Sequence, residues 1–196
     1  MRPSTLLCLV SGLLLAGAAC GAAAQYRLKI SAPPSWSAGW REASNTGGKD
    51  WRLIVFIPAD ATEGKPSDLV SVTSTLGNVS KDDGVKRLVE AWALQLKKTC
   101  KSLTAIPGEE TVGEEFNVGY AQFYCPKRTD TGLGAVDVVK VIAAGKEAHL
   151  VAVSHLTEAF TTFAPLADWV KPAHDYLQSQ VRLCRGPSPL KLECSP

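Results

Sequence analysis

The sequence predicts an α+β fold in which an antiparallel sheet packs against two main helices, as an α/β/α sandwich. Three observations carry this reading. Short alternating or continuously apolar runs recur along the chain and read as strands. Two longer stretches, 80–99 and 166–183, carry apolar residues at helical spacing. The strands come in runs with the helices set apart, so strict βαβ alternation is absent.

The elements follow in order. Residues 26–31 (YRLKIS) alternate and form a first strand, which Pro33-Pro34 ends. The stretch 35–48 is rich in Ser, Gly and Trp and reads as a loop with two aromatic anchors, Trp36 and Trp40. Residues 50–58 (DWRLIVFIP) are strongly apolar and short enough for a buried strand. A polar loop, 59–66, leads to the alternating run 68–76 (DLVSVTSTL), whose face of Val70, Val72, Ser74 and Leu76 is the more apolar.

Residues 80–99 give the clearest helix. Ser80, Asp82 or Asp83 can cap it, and Val85, Leu88, Val89, Trp92 and Leu96 build one apolar stripe. Lys97, Lys98 and Lys101 suit the negative end of its dipole, and Cys100 sits where it stops. Residues 107–115 (PGEETVGEE) read as an acidic loop, and 117–125 (NVGYAQFYC) as a strand. After a turn region at 126–134, the β-rich runs 135–143 and 149–156 form a hairpin around Ala144-Gly145-Lys146, where Gly145 can take positive φ. Residues 166–183 form the closing helix, with Pro172 in or near its first turn.

The first segment reads as an address. Arg2 is a positive n-region, residues 6–19 are an apolar stretch too short to span a bilayer comfortably, and Ala22-Ala23-Ala24 invites cleavage before Gln25. An uncleaved anchor is the competing reading. Cys20 follows Gly17-Ala18-Ala19, which resembles a bacterial lipobox with Gly17 where a bulky residue is preferred. Lipidation of Cys20 would make the protein an outer-membrane lipoprotein, tethered by acyl chains. The expected organisation is therefore a signal peptide over 1–24 and one α+β domain over 25–196.

The chain has 196 residues, with 21 Lys and Arg against 19 Asp and Glu, a net charge of +2. Loss of Arg2 with the leader leaves +1, too little to attract nucleic acid. Of six Cys, Cys8 and Cys20 belong to the leader, which leaves Cys100, Cys125, Cys184 and Cys194. An even number in an exported chain reads as two disulfides. Of three connectivities, sequence proximity favours Cys100–Cys125 and Cys184–Cys194. Each bond stabilises by roughly 3 kcal/mol if unstrained. A zinc site is the rival, but no C-x-x-C pair occurs.

Little else suggests chemistry. His149 and His155 share a strand face but stand roughly 20 Å apart, too far for one metal. Ser154 and His155 point to opposite faces, so they cannot form a nucleophile pair. His174, Asp175 and Asp168 on the last helix could orient a base, but no G-x-S-x-G supplies a nucleophile. Glu109, Glu110, Glu114 and Glu115 lack calcium-loop spacing and read as a solvated loop. No G-x-G-x-x-G or P-loop occurs, so the sequence suggests no catalytic set, cofactor or metal. Trp36 and Trp40 either pin their loop to the core or present a binding surface.

The order of Trp36, Ile57-Pro58, a helix ending at Cys100, Tyr124-Cys125-Pro126, residues 137–142, Gly145, Trp169, Cys184 and Cys194-Ser195-Pro196 resembles a family of uncharacterised exported bacterial proteins. The likeness covers most of 26–196, and its motifs are structural. The strand and helix order also resembles the photosystem-PsbP/Mog1-like sandwich, which would imply an assembly or binding role. The expectation is a bacterial envelope protein, periplasmic or secreted, that binds an envelope protein partner without catalysis. A secreted hydrolase and a lipid-anchored structural lipoprotein are the alternatives.

Overall fold

A computed structural model describes residues 25–62, 68–77, 79–162, 166–188 and 191–195. The leader, with Cys20 and the cleavage position, lies outside the described residues. In chain order the elements are β1 (Gln25–Lys29), β2 (Trp40–Gly47), β3 (Trp51–Pro58), β4 (Asp68–Leu76), α1 (Lys81–Lys97), β5 (Thr104–Val112), β6 (Asn117–Cys125), β7 (Gly134–Ala144), β8 (Glu147–Thr157), α2 (Ala167–Gln180), β9 (Arg182–Ser188) and β10 (Lys191–Cys194). Strands β2-β3-β4-β8-β7-β6-β5 pair antiparallel in one sheet, and β1-β9-β10 form a second.

Alternation along β7 and β8 assigns the two faces of the large sheet. Val138 and Ile142 of β7 and Val151 and Val153 of β8 meet Ala173, Tyr176 and Leu177 of α2. Val139, Val141 and Ala143 of β7 and Leu150 and Ala152 of β8 meet Val85 and Leu88 of α1. The helices therefore cover opposite faces. Tyr26 and Leu28 of β1 and Leu183 of β9 join the α2 side, so the small sheet shares that layer. Every residue of β7 is buried, which explains its nearly continuous apolar run.

Ser80 caps α1, its Oγ accepting from the Asp83 backbone N–H at 3.2 Å, and Asp82 and Asp83 occupy the positive first turn. The expected stripe forms: Val85 and Leu88 are buried, with Val89, Trp92 and Leu96 half-buried beside them. Cys100, just past the helix, is bonded to Cys125 at the end of β6, with 5.7 Å between their Cα atoms. The bridge ties the helix exit to the sheet. Cys184 is also disulfide-bonded, and the β9–β10 register sets Cys194 opposite it.

Two expected loops are strands instead. Residues 40–47 form β2, an edge strand on β3, and 104–112 form β5, the other edge. Both are almost wholly exposed, so they lack the apolar alternation that marks a half-buried strand. Each carries a register shift, at Glu42/Ser44 in β2 and Pro107/Glu110 in β5. The closing helix stops at Gln180, and Leu183 belongs to β9. Gly186-Pro187 lies in that strand near an irregular register, where a missing N–H is tolerated.

Glu115, expected in a solvated acidic loop, lies in the turn before β6 half-exposed but fully paired. It accepts from Tyr26 Oη at 2.6 Å and Arg185 Nη1 at 2.6 Å, joining β1 and β9 to the turn before β6. The Tyr26 hydrogen bond, with Arg185 beside it, holds the Glu115 carboxyl below its ordinary range. Burial, aided by Glu115, pushes Tyr26 up to about 12.

Gly84 marks the closest approach of α1 to the sheet. A Cβ there would lie 2.6 Å from Ala143 Cβ and 3.2 Å from Ala148 Cβ. Small residues on both surfaces set the helix-to-sheet distance. Gly84→Val should cost about 2 kcal/mol by overpacking and lower Tm by roughly 4–8 °C. Leu94→Ala, on the exposed side of α1, should change it little. Thermal melts followed by circular dichroism check both.

Candidate binding groove

A groove of about 480 Å³ lies along α2. Its far wall is the turn that follows β1. The Trp36 N–H donates to the Pro33 carbonyl at 2.9 Å, with Pro34 second in the turn, where its fixed φ fits. The Gly39 N–H then donates to the Trp36 carbonyl at 2.8 Å, and Gly39 has φ +78°. The turn drives Trp36 inward to 7 % exposure, where it joins the α2-side core while its ring still lines the groove. Trp40, the first residue of β2, is half-buried and stacks on Phe56 at 4.4 Å between centroids.

The near wall is α2 itself. Asp168, Trp169, Pro172, Ala173, Asp175, Tyr176 and Ser179 face the groove. Tyr176 Oη donates to the Ser31 carbonyl at 2.6 Å and fastens the helix to the chain leaving β1. Burial raises its phenol above the ordinary range. The α2–sheet joint is tied at the other end of the helix by Lys140, whose Nζ donates to the Val181 carbonyl at 2.9 Å. This side chain is fully buried and lies over the Tyr120 ring, 5.6 Å from its centroid. Burial lowers its pKa to about 8.

Two strands supply the floor. Asp68 opens β4 and faces His155 of β8 in the cross-strand register. Their Oδ1 and Nδ1 lie 2.7 Å apart, and the imidazole stacks on Trp169 at 5.2 Å between centroids. Val153 completes the floor. The groove therefore has aromatic and proline walls with carboxylates set into them.

The other candidate residues stand apart. His149 shares the α2-side face with His155, but its Nδ1 meets Ser74 Oγ at 2.8 Å, and Glu147 Oε2 lies 3.6 Å from its Nε2. Ser74 and His149 are cross-strand neighbours of β4 and β8, a contact no local motif announces, while Glu147 lies two residues back on β8. His149 is buried, and none of the three lines the described cavities. His174 packs on Tyr120 at 4.9 Å and lines a shallow cleft on the other side of α2 with Gln122 and Tyr124. Asp175 pairs with Lys171 at 2.6 Å, while Asp168 faces the groove, so the three helix residues form no catalytic unit. Glu109 and Glu110 are exposed on β5. Among the described residues no group of three or more His, Cys, Asp or Glu is placed to hold a metal ion.

Ser154 points to the α1-side face, opposite His155. Its Oγ donates to Asp137 Oδ1 in the interior beside the Cys100–Cys125 bridge region. Burial pushes the Asp137 carboxyl up to about 6, against the opposing pull of the Ser154 hydrogen bond and the Arg128 charge. The folded state thus binds this proton more tightly than the unfolded chain. Its contribution is full below about pH 4 and lost as pH rises through about 6. Asp137→Asn should remove this fall, worth up to about 3 kcal/mol between pH 4 and 7. Urea unfolding of both proteins across that range checks it, wild type losing stability with rising pH and the Asn variant staying flatter.

No protein-family model matches this chain, and no curated protein matches it significantly.

Proposed function

We propose that the chain is an exported bacterial envelope protein that binds a protein partner through the α2 groove and carries out no catalysis of its own. The groove is the observation that carries this reading. It joins apolar walls to a few fixed polar groups, the composition of a recognition site. The export half of the proposal rests on the leader pattern and the even Cys count. No helix among the described residues is long and apolar enough to cross a membrane. Processing before Gln25 gives a free periplasmic or secreted form, and acylation of Cys20 gives a tethered one. The mass of the mature N-terminus separates the two.

A photo-crosslinking amino acid placed at Ser35 or Ser179, on the two exposed rims of the groove, tests the binding role in cells. Adducts should form at both rims and not at Leu94 on the opposite helix. Adducts from Leu94 alone, or from no position, would refute it. Among the described residues, the Ser74–His149 contact favours the hydrolase alternative. A fluorophosphonate probe should leave Ser74 unlabelled if binding is the whole activity. Labelling lost in Ser74→Ala would establish the alternative.

A further inference from the structure

We propose that the groove takes an extended, apolar peptide segment carrying a Lys or Arg. This rests on the binding reading above and adds the chemistry of the partner. Length comes first. The groove follows α2 from Asp168 to Ser179, about 16 Å at 1.5 Å per residue. That matches roughly five residues of extended chain. The rim positions Asp168, Pro172, Asp175 and Ser179 are exposed, so the trough is open along its length. On the far wall Pro33 and Pro34 have no N–H and the Trp36 N–H is already given to the Pro33 carbonyl, so that wall has few backbone donors for a strand and recognition falls mainly to side chains.

Charge comes second. The described lining holds three Asp and neither Lys nor Arg. Asp175 is paired with Lys171 and Asp68 with His155. Asp168 has no ion-pair or side-chain hydrogen-bond partner among the described residues, and it adjoins Trp169. Half-buried Trp169 lines the groove with the edges of the buried Trp36 and Tyr176 behind it, an aromatic lining suited to an apolar side chain and to a cation. A carboxylate beside such faces selects a cation and repels an anion.

Panning phage-displayed random heptapeptides against the mature protein tests this. Recovered peptides should carry an aromatic or aliphatic residue close to a Lys or Arg. As synthetic peptides they should shift the indole N–H signals of Trp36 and Trp169 in nitrogen-15 NMR spectra. Asp168→Asn, an exposed substitution whose folding is checked by its melting curve, should weaken binding about tenfold. Replacing the peptide's Lys with norleucine should do the same, and added salt should weaken the wild-type complex. Peptides that shift the same indoles but are neutral or acidic, or that ignore Asp168→Asn, would overturn the charge rule and leave the groove as a binding site. Recovery of no peptide, or of peptides whose shifts map elsewhere, would overturn both.

Discussion

Burial of β7 on both faces is the constraint on which the rest of the structure depends. A strand flanked by two others and covered above and below has no route to water for a polar side chain. β7 nevertheless carries Asp137 and Lys140. Each must be satisfied inside the protein. The strand's alternation sends them to opposite faces, so each becomes a fixed point of a different layer. Asp137 takes a hydrogen bond from Ser154 near the disulfide, on the α1 side. Lys140 reaches the end of α2 on the other side.

The Lys140 contact explains how α2 is held in place. The last turn of α2 contains no basic residue, so nothing on the helix itself answers its negative C-terminal end. The buried ammonium from the sheet supplies that charge at the Val181 carbonyl. At the start of the helix Trp169 stacks on His155, and midway Tyr176 holds the Ser31 carbonyl. Three separate contacts thus fix the helix against the sheet and against the chain leaving β1. The groove is the space left between α2, the sheet and the turn at 33–36.

What the sequence disclosed follows the same physics. Elements with one buried face carry a period and a strand buried on both faces carries a continuous apolar run, and β4, α1, β6 and the β7–β8 hairpin were legible from these patterns. Edge strands bury neither face, so β2 and β5 look like loops in composition and become strands only by pairing with neighbours. β9 was hidden because Gly186-Pro187 signals a turn locally, while its register with β1 joins residues more than 150 positions apart. The groove was half legible. Trp36 stood out, with Trp40, as one of two aromatics in a small-residue stretch, and helical spacing marked an apolar side of the last helix. Asp68 and His155 could not be joined in advance, because their contact depends on β4 lying beside β8, which no local pattern specifies.

The edge strands also bear on how this protein can associate. A free sheet edge is the usual weak point at which another chain adds itself. Here both edges of the large sheet resist it. β5 carries Pro107, Glu109 and Glu110 with a shifted register, and β2 carries Arg41 and Glu42 beside a shift of its own. Proline removes a donor, the shifts break the regular spacing of N–H and C=O groups, and the charges oppose desolvation. Backbone pairing is therefore disfavoured along both edges. Specific association is left to side-chain recognition, and on the α2 face the groove concentrates ring surface and carboxylates within reach of one another.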